Sequence, residues 1–87
     1  MPKSSFSHEA TIVRDLLRTS RERAGLTQLD VAKALNVRQS YVSKYETGER
    51  RLDFSETSAV CGALGISIVD FAKEFARRTR RERKNEG

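Results

Sequence analysis

Thr27–Gly48 reads TQLDVAKALNVRQSYVSKYETG, two short helical patterns on either side of a tight polar break. Thr27 is a favourable N-cap, because its hydroxyl can accept from a backbone N–H that the first turn of a helix leaves unbonded. Behind it Val31, Ala32 and Leu35 recur at helical spacing, so one face is apolar and small, and the helix ends at Leu35. Asn36 follows, and asparagine is second only to glycine in accepting the left-handed conformation that stops a helix and swings the chain round. A turn of about three residues is expected at Asn36, Val37 and Arg38. A second helix then runs from Gln39 to about Thr47, with Val42 and Tyr45 spaced to face inward and Gly48 in the position after the helix that favours glycine. The small side chain of Ala32 lets the second helix cross the first closely and steeply.

This segment resembles the helix-turn-helix of the Cro/cI-type family, also called XRE or lambda repressor-like DNA-binding domains. Gln28, Ala32 and Asn36 carry the resemblance in the first helix and turn; Gln39, Ser40, Val42 and Ser43 carry it in the second, before the ending Glu46, Thr47, Gly48. The resemblance implies an all-α, compact five-helix domain over residues 9–76, with the helix from Gln39 laid in the DNA major groove. It also implies that Arg21 pairs with Glu46, tying the first helix of the domain to the recognition helix; the competing role for Arg21 is a phosphate contact. In the family the glutamine opening the second helix touches the DNA backbone and supports the one opening the third, whose amide can bond adenine N6 and N7 together. Gln28 and Gln39 stand at those two places. Two positions depart from the pattern: Arg38 stands where Ser or Thr commonly caps the recognition helix, and Leu29 where relatives are usually polar.

Composition agrees with one small domain. The chain has 87 residues, with 17 Lys plus Arg against 12 Asp plus Glu, for a net charge of +5. A polyanionic partner fits that balance. However, six of the 17 basic residues and only two of the 12 acidic ones lie in residues 77–87, so the domain itself is close to neutral. The case for DNA therefore rests on the motif more than on charge. The single Cys61 cannot form an internal disulfide, and there is no secretory signal or membrane-length apolar run, so a cytoplasmic, nucleoid-associated location is expected.

Residues 1–8 read as a flexible arm, with Ser7 as the cap of a first helix from about Glu9 to Ala24. Phe6 in that arm reads as a locally docked aromatic in preference to a DNA-binding arm. Val13, Leu16, Leu17 and Ala24 form the stripe of that helix, with Ile12 at its margin. Asp53 or Ser55 caps a fourth helix whose buried side is Ala59, Val60, Cys61 and Leu64, with Phe54 packing before it. Ser67, with Asp70 three residues on, opens a fifth helix in which Phe71 and Ala72 complete the core. Ile68, Val69, Phe75 and Ala76 are left over as apolar surface and read as a homodimer contact. The basic tail, residues 77–87, either adds nonspecific backbone affinity or keeps the end soluble.

Ser40, Ser43 and Lys44 share the outward side of Gln39 and are the next candidates for base edges, with Arg38 at the mouth of the groove. Lys44 suits either a guanine or a phosphate. Thr27, Gln28, Tyr41, Thr47, Arg50 and Arg51 are the candidates for phosphate. Tyr45 reads as core with its hydroxyl near the surface. The function expected is a sequence-specific transcriptional regulator, a repressor, binding double-stranded DNA as a homodimer on a palindromic operator. The alternative is an antitoxin-like module whose main task is to hold a partner protein. The single His, the lone Cys and the lack of a glycine-rich phosphate loop or metal-ligand spacing leave no constellation for catalysis, a cofactor or a metal.

Overall fold

The computed structural model describes the backbone of residues 4–86 and the side chains of residues 8–81. In it the polar break becomes a left-handed stop: Asn36 sits at φ 59°, ψ 45°, and its N–H and that of Val37 return to the carbonyls of Lys33 and Ala32. Five helices make up the described chain: α1 Ser4–Arg23, α2 Gln28–Leu35, α3 Gln39–Thr47, α4 Phe54–Leu64 and α5 Ile68–Glu86.

The helix starts follow local chemistry. Thr27 accepts from the N–H of Asp30 at 3.0 Å while the Asp30 carboxylate accepts from the N–H of Thr27 at 2.8 Å, a reciprocal capping box. Asp53, not Ser55, caps α4 in the same way, with Glu56 as its partner at 2.7 and 2.9 Å. The Ser67 hydroxyl accepts from Val69 and Asp70 at the head of α5. Arg38 precedes α3 in extended conformation with no side-chain cap.

With 8 and 9 residues, α2 and α3 are too short to hold alone, since isolated helices need roughly 12 to 15 residues even in favourable sequences. They persist because α2 packs on α3 and α4, while α1 packs on α3, α4 and α5. Val31, Ala32, Val42 and Cys61 are all at 0% exposure, joined in one core by Ile12, Leu16, Leu17, Tyr45, Val60, Leu64 and Phe71. Burying each such branched or aromatic side chain contributes about 1.5–3 kcal/mol relative to leaving it in water.

Several faces are rotated from those read in the sequence. Ile12 is at the centre of the α1 face at 2% exposure, not its margin, while Ala24 lies past the helix end and is exposed. Phe54, the first residue of α4, points outward at 74% exposure; Ala59 is exposed as well, and Thr57 takes the buried place. Ala72 is exposed rather than core. Ile68 and Phe75 pack against the domain's own core, so of the four residues set aside for a dimer only Val69 and Ala76 are exposed. The boundaries move outward too. Ser7 lies inside α1, which takes in part of the expected arm, although its side chain and that of Phe6 lie outside the described residues. The helix opened at Ile68 runs on through the basic tail to Glu86. Extending an existing helix is far easier than starting one, and Arg, Lys and Glu are good helix formers.

Candidate nucleic-acid interface

Helix α3 divides by phase. At about 100° per residue, positions 39, 40, 43, 44 and 47 fall within an arc of roughly 140°, and Val42 and Tyr45 fall opposite it. The burial follows: Gln39, Ser40, Lys44 and Thr47 are exposed, Ser43 is half-buried, and Val42 and Tyr45 face the core. Arg38, just ahead of the helix, is exposed beside them.

A chain of polar contacts holds this helix in rotation. Arg21 of α1 donates to both oxygens of Glu46, Nε to Oε2 at 2.7 Å and Nη2 to Oε1 at 3.1 Å, and its Nη1 donates to the carbonyl of Leu26 at 2.9 Å. The two side chains are 13% and 5% exposed. The hydrogen bonds that Arg21 donates to Glu46, against the opposing effect of burial, keep its guanidinium even more firmly protonated than usual. Glu46 Oε1 also accepts from Gln28 Nε2 at 3.0 Å, and Gln28 Oε1 lies 3.5 Å from Gln39 Nε2. That arrangement leaves the carbonyl and second N–H of the exposed Gln39 without a bond among the described residues. Those are the acceptor and donor that the edge of an adenine requires.

The phosphate candidates differ in what they have left to offer. The Thr27 oxygen is committed to the Asp30 N–H, which leaves its own proton for a phosphate. Gln28 is spent mainly between Glu46 and Gln39. The Thr47 hydroxyl donates back to the carbonyl of Lys44 at 3.2 Å and so has no proton to give in this rotamer. Arg51 is exposed and forms no ion pair among the described residues.

Arg50 and Tyr41 are not the free ligands that the sequence suggested. Arg50 Nη2 lies 2.6 Å from Glu56 Oε2, and its guanidinium carbon sits 4.7 Å from the centre of the Tyr41 ring. The Tyr41 hydroxyl donates to the same Glu56 oxygen at 3.3 Å, and its ring meets Tyr45 edge-on at 5.9 Å. Glu56 is held below the usual carboxylate range, first by the Asp53 N–H and then by Arg50. Burial, followed by the Glu56 charge, pushes the Tyr41 phenol up, so it stays a donor. Glu56 escaped the sequence reading, though the D-x-x-E spacing from Asp53 is a legible capping signal.

Two further contacts lie beneath the helix end. Gly48 adopts φ +91°, and a Cβ there would stand 2.9 Å from the Arg14 guanidinium, so the chain leaves α3 against the face of Arg14. The Tyr45 hydroxyl is not near the surface: it is buried without a partner, and burial pushes its ionisation far out of reach. Among the described residues no group of three His, Cys, Asp or Glu side chains is placed to hold a metal, and no helix is long and apolar enough to cross a membrane.

A family model described as helix-turn-helix matches residues 17–71. An XRE-family-like protein from Pseudomonas syringae pv. tomato is 34% identical and superimposes with a TM-score of 0.84, covering 88% of this chain and 94% of that one. The restriction-modification controller protein C.Esp1396I is 25% identical with a TM-score of 0.74, over 79% of this chain and 91% of its own. That controller protein has also been solved as a tetramer in complex with its natural 35-base-pair operator. A 59-residue stretch, 67% of this chain, is 34% identical to part of a glutamine–fructose-6-phosphate aminotransferase from Methanocaldococcus jannaschii, of whose length the chain spans only 5%.

Proposed function

Since the chain belongs to the XRE type of helix-turn-helix DNA-binding regulators, we propose that it is a repressor that acts as a homodimer on a palindromic operator. One observation carries the reading. The polar face of α3 is held outward by the chain Arg21–Glu46–Gln28–Gln39, so its rotation is set before DNA arrives. A rigid element that presents donors and acceptors without reorganising is what base discrimination needs.

In this reading Gln39, Ser40, Ser43 and Lys44 meet base edges, with Arg38 beside them at the mouth of the groove. Thr27 and Arg51 meet phosphate directly, while Gln28, Tyr41, Thr47 and Arg50 must first give up a bond within the protein. Dimerisation runs through α5, where Val69, Ala72 and Ala76 are exposed at helical spacing; the half-buried Ile68 and Phe75 lie beside them. The small alanines allow a second copy of the helix to approach closely. The operator complex of C.Esp1396I supports a regulator of this fold that binds DNA as an assembly.

Selection of bound duplexes from a random pool tests the proposal. An enriched inverted repeat, with half-sites about one helical turn apart, is expected. Enrichment of no sequence at low salt refutes it. A reporter placed downstream of the selected site then reads the sign of regulation: expression should fall when the protein is present, and a rise would refute repression.

A further inference from the structure

We propose that Glu56 Oε2 holds the place of a DNA phosphate oxygen in the free protein, and that Arg50 and the Tyr41 hydroxyl pass from it to a phosphate when the domain docks. The inference rests on the DNA-binding reading above and deepens it, by naming a residue that shapes specificity from outside the recognition helix.

The geometry is that of an occupied anion site. Two donors from different segments converge on one oxygen: Arg50 Nη2 from the loop at 2.6 Å and the Tyr41 hydroxyl from α3 at 3.3 Å. The other carboxylate oxygen is fixed separately by the Asp53 N–H at 2.9 Å, so the acceptor cannot drift away from its donors. Arg50 is supported in place by the Tyr41 ring at 4.7 Å, and that ring rests on Tyr45 of the core. Releasing the carboxylate thus leaves a guanidinium still aimed by its stacking contact, with most of its five N–H donors unbonded. The pair is also reachable, since the Arg50 and Glu56 side chains are 46% and 28% exposed.

The charge consequence follows directly. Arg50 and Glu56 together sum to zero, so a phosphate that takes Arg50 gains a cation and acquires an anionic neighbour. A loosely placed phosphate gains little from that exchange. One brought to the site of Oε2 by correct docking of α3 gains both donors at once. Glu56 therefore suppresses indiscriminate backbone binding by the loop more than it weakens the correctly docked complex. Its own cap bond to the Asp53 N–H, at the positive end of α4, keeps the displaced carboxylate tolerable.

Glu56→Gln is the informative variant, because its amide oxygen can still accept from the Asp53 N–H, while the amide nitrogen that takes the place of Oε2 carries no charge and no longer accepts from Arg50. Binding of an unrelated duplex and of the selected operator is measured for both proteins across a salt series, with helical circular dichroism as the check on folding. Glu56→Gln should bind the unrelated duplex more tightly, with the slope of log K against log salt steeper by about 0.9, so that a fourfold rise in salt erodes its advantage ~3.5-fold. The ratio of operator to unrelated affinity should fall, and adding Arg50→Gln should return the slope to that of the parent. If Glu56→Gln fails to fold, Arg50→Gln alone carries the test: a slope flatter by about 0.9 on the operator but unchanged on the unrelated duplex supports the exchange, and slopes that change equally on both, or on neither, overturn it. Equal slopes for Glu56→Gln and the parent, in a protein that does select an operator, overturn the exchange alone. A parent protein that prefers no duplex refutes the DNA-binding reading and the exchange together.

Discussion

Arg21→Met tests whether the link between α1 and α3 is as consequential as its geometry implies. In the parent, Arg21 fills both oxygens of Glu46 at 2.7 and 3.1 Å, and the Glu46 side chain is 5% exposed. After the substitution that carboxylate keeps only the Gln28 N–H at 3.0 Å, in a place water scarcely reaches. Stranding one member of a buried pair costs about 3–5 kcal/mol. A domain of 87 residues has roughly 4–13 kcal/mol in total, so the variant loses between a quarter and all of its stability. At about 4–8 °C per kcal/mol the melting temperature falls by at least ~12 °C. Glu46→Gln is gentler, because Arg21 keeps the Leu26 carbonyl at 2.9 Å and an amide oxygen to donate to; about 1–3 kcal/mol is expected. The double variant Arg21→Met, Glu46→Leu removes the stranded charge and should cost less than Arg21→Met alone. Urea unfolding followed by circular dichroism measures all three. A loss below ~1 kcal/mol for Arg21→Met, or a double variant at least as unstable as Arg21→Met alone, would falsify the buried-pair account. The double variant should also bind its operator less selectively although it folds, because Gln28 no longer has Glu46 to brace it.

Gly48→Ala should destabilise by about 1–2 kcal/mol, since φ +91° is strained for any side chain; the new Cβ also meets Arg14, and an unchanged urea midpoint would contradict this. Gln39→Ala should leave the melting temperature within error while discrimination at one base pair drops by about 1–3 kcal/mol, read by competition between single-base operator variants. Arg51→Gln should weaken operator and unrelated DNA alike and flatten the salt slope by about 0.9. Acid should erode stability through two caps and one ion pair. Asp30 is held low chiefly by the Thr27 N–H, Glu56 by the Asp53 N–H and Glu74 by Arg77, so each folded value lies below its unfolded one. Their contribution is complete above the unfolded values near pH ~4 and is lost as pH falls through the folded ones. Thermal melts from pH 7 to pH 3 should show that loss, and Asp30→Asn should make it shallower.

The helix ends were legible because each is decided by two or three neighbouring residues. Asn36 and Gly48 stop helices by backbone conformation, and Thr27 and Asp53 start them with a side-chain oxygen at fixed reach. Which face each helix buries was less legible, because that depends on partners far along the chain. Both Ile12 and Val13 satisfy a helical period, and only the approach of the other helices selects Ile12 as the more buried. Phe54 is the one aromatic residue of its segment, yet as the first residue after a cap it is 74% exposed, and the modest Thr57 is buried with its hydroxyl bonded to the Asp53 carbonyl at 2.8 Å. The Arg50–Glu56 contact belongs to the same class. A loop arginine with a phosphate in prospect and a carboxylate six residues on has two partners in sequence, and only the folded loop brings it within 2.6 Å of one of them.

The same distinction explains why α3 needs polar ties. Packing gives α3 only Val42 and Tyr45 as fully buried anchors, and they lie three residues apart, close to a single line along the helix. Two anchors on a line fix where the rod lies and resist its turning about its own axis only weakly. Tyr45, moreover, has a buried hydroxyl with no partner, which detracts from its share of the stabilisation. In the proposed reading rotation is what this face cannot tolerate, because a turn of one residue would replace Gln39 and Ser43 by their neighbours. Glu46 lies off that line, and its three hydrogen bonds, two to α1 and one to α2, act at a distance from the axis where they oppose rotation. A buried ion pair that adds little net stability is therefore well matched to this place, where angular precision is worth more than free energy.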